Sequence, residues 1–388
     1  MRLLLEKIKR MDPLIIGILM IFSVLSILLI HSATLNDSYI NISVKKLIVI
    51  NAICAFAFVL ASLIDYRVFL RFSVYIYLLG VALLIGIFFF GSKQNGAQGW
   101  YKLPGGLDLQ PAEVMKIILV LILAYFISTK AQQPLKFMKD IVPILFIVSV
   151  PFILVVIQPD LGNAIIYLVI LAGMLWIGNI KYTHAIIGII LFIGSIYLFD
   201  YLYNHYHEPI QAFLDSKGVG HWANRLDTYF NPEAVSKDQS YHLNNAKLAI
   251  GSGGLYGAGY LNGAMVHSSK IPYSYSDSIF VVIGEELGFL GSAGILILYF
   301  ILIYRLIIIA INSKSTSGPL IIIGIASMYI YQVFQNIGMM IGIIPVTGIT
   351  LPFISYGGTS LIINMTAIGL AMSVQIHNDE DEEGFLTS

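Results

Sequence analysis

LIIGILMIFSVLSILLI, residues 14–30, decides the fold. The run carries no charge and, as a helix, is long enough to cross most of the roughly 30 Å of a bilayer's hydrocarbon. Arg2, Lys7, Lys9 and Arg10 stand just before it, which gives the outline of a signal peptide. No convincing cleavage site follows and more apolar runs do, so it reads as a retained first helix. Working outward, nine further runs can span: Leu47 to Ile64, Phe72 to Phe90, Ala112 to Ser128, Ile141 to Ile157, Leu161 to Gly178, Thr183 to Phe199, Ser278 to Ile311, Pro319 to Ile341 and Phe353 to Val374. The eighth of the ten exceeds what a span needs, and Gly288 and Gly291 are positions where it can break or tilt.

Composition agrees. Of 388 residues, 57% are hydrophobic and 11% charged, with a mean hydropathy of +0.83. A water-facing surface cannot be built from so few charges, so soluble classes are excluded and an all-α polytopic membrane bundle is expected. The formal charge is zero, but five acids lie together in Asp379 to Glu383; without them the balance is +5. That acidic end, 379–388, reads as a solvated tail after a single transmembrane domain, 1–378. No basic patch interleaved with aromatics points to nucleic acid. Cys54 is alone, which rules out an intrachain disulfide and a cysteine metal cluster.

Ten spans put both termini on one side, and positive charge in the short loops fixes which side that is. Twelve lysines and arginines fall on the side of the termini, against Lys45, Lys46, Lys93 and Lys102 opposite. Both ends are therefore expected in the cytoplasm, and the long polar segment from about 200 to 276, between the seventh and eighth spans, outside it. A segment that long is expected to form short helices over the bundle. A second outer region, Gly91 to Gln110, holds Trp100 and a Pro104-Gly105-Gly106 turn.

Ionisable residues within or beside spans are the informative ones, because each costs several kcal/mol unless paired or facing water. Glu113 and Lys116, three apart, share a helix face; they form either a neutralised pair or the charged wall of a polar cavity. Glu285 and Glu286 point about 100° apart, so one partner cannot satisfy both, and Lys116 is a candidate for one of them. Asp160 precedes an apolar helix and reads first as its cap. Ser276 or Asp277 is either the cap of the eighth span or, in the case of Asp277, a carboxylate at the membrane boundary able to take a proton from a hydroxyl. Gly251 to Gly257 departs from the dinucleotide pattern at Tyr256 and reads as a close-packed turn. His205, His207, His221, His242 and His267 share the long segment without metal-ligand spacing.

Six ordered motifs give a resemblance over nearly the whole chain: Asn95-Gly96-Ala97 with Trp100; Leu109-Gln110-Pro111-Ala112-Glu113 with Lys116; Gln158-Pro159-Asp160-Leu161-Gly162; Ala249 to Gly254; Asp277 with Gly284-Glu285-Glu286-Leu287-Gly288; and Pro345-Val346-Thr347-Gly348 leading to Pro352 to Gly358. Together they resemble the SEDS family (shape, elongation, division and sporulation) of bacterial membrane proteins, and Ile250 to Gly263 is most similar to its rod-shape branch. Two segments depart from the family pattern. Gln98 and Gly99 stand where basic residues are usual, and Tyr273 and Ser278 replace a glutamate and a phenylalanine around Asp277.

The resemblance implies a ten-helix peptidoglycan glycosyltransferase that polymerises lipid II on the outer face of the cytoplasmic membrane, with a class B penicillin-binding protein as partner. It makes Asp277 the catalytic residue and places Trp100, Glu113, Lys116, Asp160, Glu285 and Glu286 around a substrate cavity. On that footing Asp277 deprotonates the acceptor hydroxyl. Leaving-group charge would be met by a divalent cation, Mg2+ or Mn2+, whose ligands the sequence does not name, with Arg225 or Lys116. Two other readings share the same residues: a lipid II flippase with a charged path, and a scaffold for the transpeptidase.

Overall fold

A computed structural model describes residues 9–35, 42–94, 97–103, 107–130, 133–206, 237–268 and 270–378, with a few isolated positions besides. Arg225, His221, Asn95, Gly96, the Pro104 to Gly106 turn and the acidic tail lie outside the described residues.

Twelve α-helices are described, and a five-residue π-helix, Phe137–Ile141, runs into the sixth of them. α1 is Pro13–Thr34, α2 Val44–Leu63, α3 Tyr66–Arg71 and α4 Ser73–Phe90. α5 is Pro111–Ser128, α6 Val142–Ile157, α7 Leu161–Ile177 and α8 Tyr182–His205. α9 is Lys237–Ser252, α10 Ile279–Asn312, α11 Gly318–Ile341 and α12 Gly358–Ile376. Nine helical segments are long and apolar enough to cross a membrane, the one that includes α6 starting at Phe137, and α7 is apolar but shorter. The chain is a multi-pass membrane protein.

Burial separates the spans. α5 is buried almost throughout and packs on α4, α6, α7, α11 and α12, while α12 lies along α2. The outer helices instead turn Phe56, Phe89, Phe90, Phe146 and Phe300 outward, as lipid-facing surface requires. Among its described residues, α8 buries almost nothing inside the protein, Tyr203 near its end being the exception.

The all-α expectation holds, with one small addition. Between α4 and α5 the chain forms a three-stranded antiparallel sheet of β1 Ser92–Gln94, β2 Ala97–Leu103 and β3 Leu107–Leu109. Tyr101 pairs with Leu109 and Lys102 with Asp108. The ladder satisfies backbone groups that a loop returning over the bundle would leave unpaired. Tyr101 ties the sheet down by donating to Leu83 O at 2.8 Å.

α10 breaks at Gly288, where φ is 65° and ψ is −163°. The carbonyls of Glu285 and Glu286 accept from Ala258 N (2.9 Å) and Gly259 N (3.0 Å). Phe289 N and Leu290 N donate to Gly254 O (2.9 Å) and Leu255 O (3.1 Å). The glycine-rich turn after α9 thus supplies the partners that an unbroken helix would have found in itself. The expected long eighth span is therefore a buried half-helix, Ile279 to Leu287, followed by the span proper.

At the end of the bundle where the termini meet, Asp12 caps α1 and its Oδ2 accepts from Arg305 Nε at 2.8 Å. Lys7 Nζ and His377 Nε2 are 2.8 Å apart, which links the two ends of the chain. Burial raises the Asp65 carboxyl, but hydrogen bonds and charge from Arg67, with His377 beyond, outweigh it and hold Asp65 below its ordinary range.

Candidate active site

At the other end of the bundle a cavity of about 810 Å³ opens between the sheet, α5, α7, α9 and the segments before α10 and α12. Four carboxylates line it: Asp108, Glu113, Asp160 and Asp277. Among the described lining residues, His242 on α9 is the one side chain able to become a cation.

Asp277 is half-buried and borders this space. The cap position of α10 is Ser278, whose side chain makes no capping bond, so the cap reading of Ser276 or Asp277 is corrected. The segment is pinned through its backbone. Asn336 Nδ2 on α11 donates to Asp277 O (2.8 Å) and Ile349 O (2.7 Å), and Ser355 Oγ donates to Ser276 O (2.7 Å). Gly348 faces the carboxylate; a Cβ there would stand 3.7 Å from Asp277 Oδ2. Buried polar groups must find partners, and here they hold the irregular segment before α12 against the start of α10.

Asp160 both caps α7 and lines the cavity. Its Oδ1 accepts from Asn163 N at 3.2 Å, and its Oδ2 accepts from Asn163 Nδ2 at 2.9 Å and Gln110 Nε2 at 2.7 Å. Burial raises this carboxyl above its ordinary range despite the donors; Glu113 adds to the rise and Lys116 opposes it.

Glu113 and Lys116 pair directly, Nζ to Oε2 at 2.6 Å, with Lys116 fully buried. Glu113 lines the cavity, while Lys116 stands behind it and is not among the lining residues. Both sequence readings of the pair therefore hold in part. Trp100 borders the cavity from β2.

Glu285 and Glu286 are placed elsewhere. They line no part of this cavity, and neither pairs with Lys116. Glu285 accepts from Met265 N (2.7 Å) and Val266 N (3.0 Å). Glu286 accepts from Ser32 Oγ at 2.5 Å and faces His267 Nε2 at 3.4 Å. These bonds hold the loop after α9 to α1 and to the half-helix of α10, Glu285 being satisfied on both oxygens and Glu286 on Oε1 alone.

Sequence reasoning assigned no role to Asp108, Gln110, Asn163 or His242. Asn163 follows the Asp160 cap by three residues, which is the spacing of a capping contact and a usable signal. Thr359 donates to Asp108 O and thereby brings β3 to the start of α12, a contact across 251 residues that no local pattern contains.

Fold and site together define a multi-pass membrane protein with an acidic, polar chamber at one end of its bundle. Residues 8–380 match the family of cell cycle proteins that takes in FtsW, RodA and SpoVE, and the chain belongs to that family. It is 33% identical over 375 residues to the peptidoglycan glycosyltransferase MrdB of Escherichia coli, covering 95% of this chain and 94% of that one. It is 33% identical over 298 residues to the stage V sporulation protein E of Bacillus subtilis, covering 77% and 76%. Among solved structures, the rod shape determining protein RodA of Thermus thermophilus matches with a TM-score of 0.68 at 24% identity, over 96% of this chain and 98% of that one. A chain of a peptidoglycan synthase complex matches at 0.76 and 24% identity, over 96% and 99%.

Proposed function

We propose that this chain is a peptidoglycan glycosyltransferase that polymerises lipid II during cell elongation, with Asp277 as the base. The observation that carries the reading is a carboxylate bordering a cavity of about 810 Å³, at the end of a membrane bundle, in a member of this family. A space of that size is large enough to accommodate a saccharide.

Asp277 accepts the proton of the 4-hydroxyl of the acceptor GlcNAc as that oxygen bonds to the anomeric carbon of the donor's MurNAc. The bond from that carbon to the prenyl diphosphate breaks, the diphosphate leaves with the electron pair, and α becomes β in one displacement. The leaving group is a good one, so neutralising its charge matters more than protonating it.

Among the described residues no three His, Cys, Asp or Glu side chains converge as a ready metal cage. A donor set of separate carboxylates suits a Mg2+ or Mn2+ ion shared with phosphate oxygens, which Asp108 or Asp160 would hold. Such an ion would supply charge neutralisation, and the proton transfer to Asp277 does not depend on it.

The site end faces the outside in this reading, with both termini cytoplasmic, as the loop charges favour. A class B penicillin-binding protein is the proposed partner, supported by the likeness to a chain of a peptidoglycan synthase complex. The flippase reading draws no support from Glu285 and Glu286, which are engaged by local donors rather than by an open path.

Purified full-length protein supplied with lipid II in detergent is expected to form glycan chains. Asp277→Asn should lower the rate by about 10²–10⁴-fold, the usual range for losing a general base. Wild-type protein that makes no glycan, alone or with its partner, would remove the enzyme reading.

A further inference from the structure

Three tyrosine rings form a continuous wall beside Asp277. Tyr273 and Tyr275 have ring centroids 6.4 Å apart at 64°, and Tyr275 and Tyr356 are 6.0 Å apart at 66°. All three line the cavity that Asp277 lines. These edge-to-face contacts fix each ring by its neighbour. The backbone fixes them as well: Tyr356 N donates to Tyr275 O at 2.9 Å, and Ser276 N donates to Tyr273 O at 2.9 Å.

Tyr273 holds φ at 52°, a region disfavoured for any residue with a side chain, and the residue stays 44% exposed where it borders the cavity. Glycine would occupy that turn without strain. A strained, open tyrosine bordering a site is the pattern of a side chain retained for what it touches.

We propose that Tyr273, Tyr275 and Tyr356 are the saccharide platform of the acceptor subsite, which lays a pyranose ring against the wall so that its hydroxyl reaches Asp277. A pyranose has a face of C–H bonds rimmed by hydroxyls. A tyrosine offers the complementary pair, an apolar ring face and a phenol able to donate or accept at the rim. Gln110 and Asp160 line the same cavity and give it a polar pair of side chains beside the aromatic wall. A prenyl tail would gain nothing from that polar side. The inference rests on the proposed polymerase reading and assigns its acceptor site.

The test measures lipid II polymerisation by the full chain. Tyr273→Ala is expected to raise KM about tenfold with kcat within a few fold, and Tyr273→Trp to restore it. Tyr275 packs partly against the core, so Tyr275→Phe serves there and should stay near wild type if stacking is the contribution. A second readout uses the water-soluble GlcNAc-MurNAc disaccharide and saturation-transfer NMR, which is expected to show transfer to ring C–H protons that Tyr273→Ala reduces. Unchanged KM and unchanged transfer in Tyr273→Ala, in protein with wild-type thermal stability, would overturn the proposal. Loss of activity in Asp277→Asn in the same series would show that only the platform, and not the polymerase reading, had failed.

Discussion

Two aspartates at opposite ends of the bundle shift in opposite directions: for Asp65 the charged neighbours outweigh burial, and for Asp160 burial outweighs the donors. Asp65 is held below its ordinary range by Arg67 and His377, which outweigh burial. Its contribution to stability is present above the ordinary carboxyl range and is lost as pH falls through the depressed value. Asp65→Asn should therefore lower the thermal midpoint at pH 7, with the deficit shrinking as pH falls below the ordinary carboxyl range and wild type also loses the charge. Asp160 is raised, chiefly by burial. Its contribution is complete below the ordinary carboxyl range and is lost as pH rises through the raised value, so Asp160→Asn should gain on wild type as pH rises from the ordinary carboxyl range. Thermal unfolding of both variants across pH checks the two signs together. The sequence placed Asp160 as a cap, which it is, whereas the cap of α10 falls one residue after Asp277. It did not reveal that Gln110 and Asn163 both donate to Asp160, because Gln110 is 50 residues away in the chain.

Helices were the most legible elements, since an apolar run has one viable form in hydrocarbon. The sheet was not. Its strands are three to seven residues long, and the turn glycines near them suggested only a loop. For α10, the position of the break was readable at Gly288, but the partners that make it tolerable were not, because they come from the turn after α9. At that break a Cβ on Gly288 would collide with Gly257 N and stand 2.8 Å from Tyr256 C and 2.9 Å from Leu255 O, all backbone. Gly288→Ala should cost about 1–3 kcal/mol from the positive φ alone, and more from the collision. Thermal unfolding in detergent would show it, with activity falling as the half-helix that follows Asp277 shifts. The same placement explains why Glu285 and Glu286 were misread: their adjacency showed that they needed separate partners, and the partners turned out to be a loop and α1 rather than Lys116.

At the scale of the molecule, family, fold and charge asymmetry could all be read from the chain, while the shape of the cavity depended on contacts between distant segments. Asp108, Asp160, Asp277 and Tyr356 come from four parts of the sequence and meet only when the bundle closes. Orientation has a direct check. Cys54 is buried and should be silent toward a membrane-impermeant thiol reagent, so single cysteines can be read against it. Cysteine at the exposed Ser268 is expected to label in intact cells, and cysteine at Lys314 only after lysis. The reverse pattern would invert the topology. One feature of the bundle bears on handling: α8, whose spanning stretch touches so little protein, keeps its place through surrounding lipid. Harsh solubilisation that strips those acyl chains should release α8 before any other span, so the preparation least faithful to the cell would be the one judged purest by lipid content.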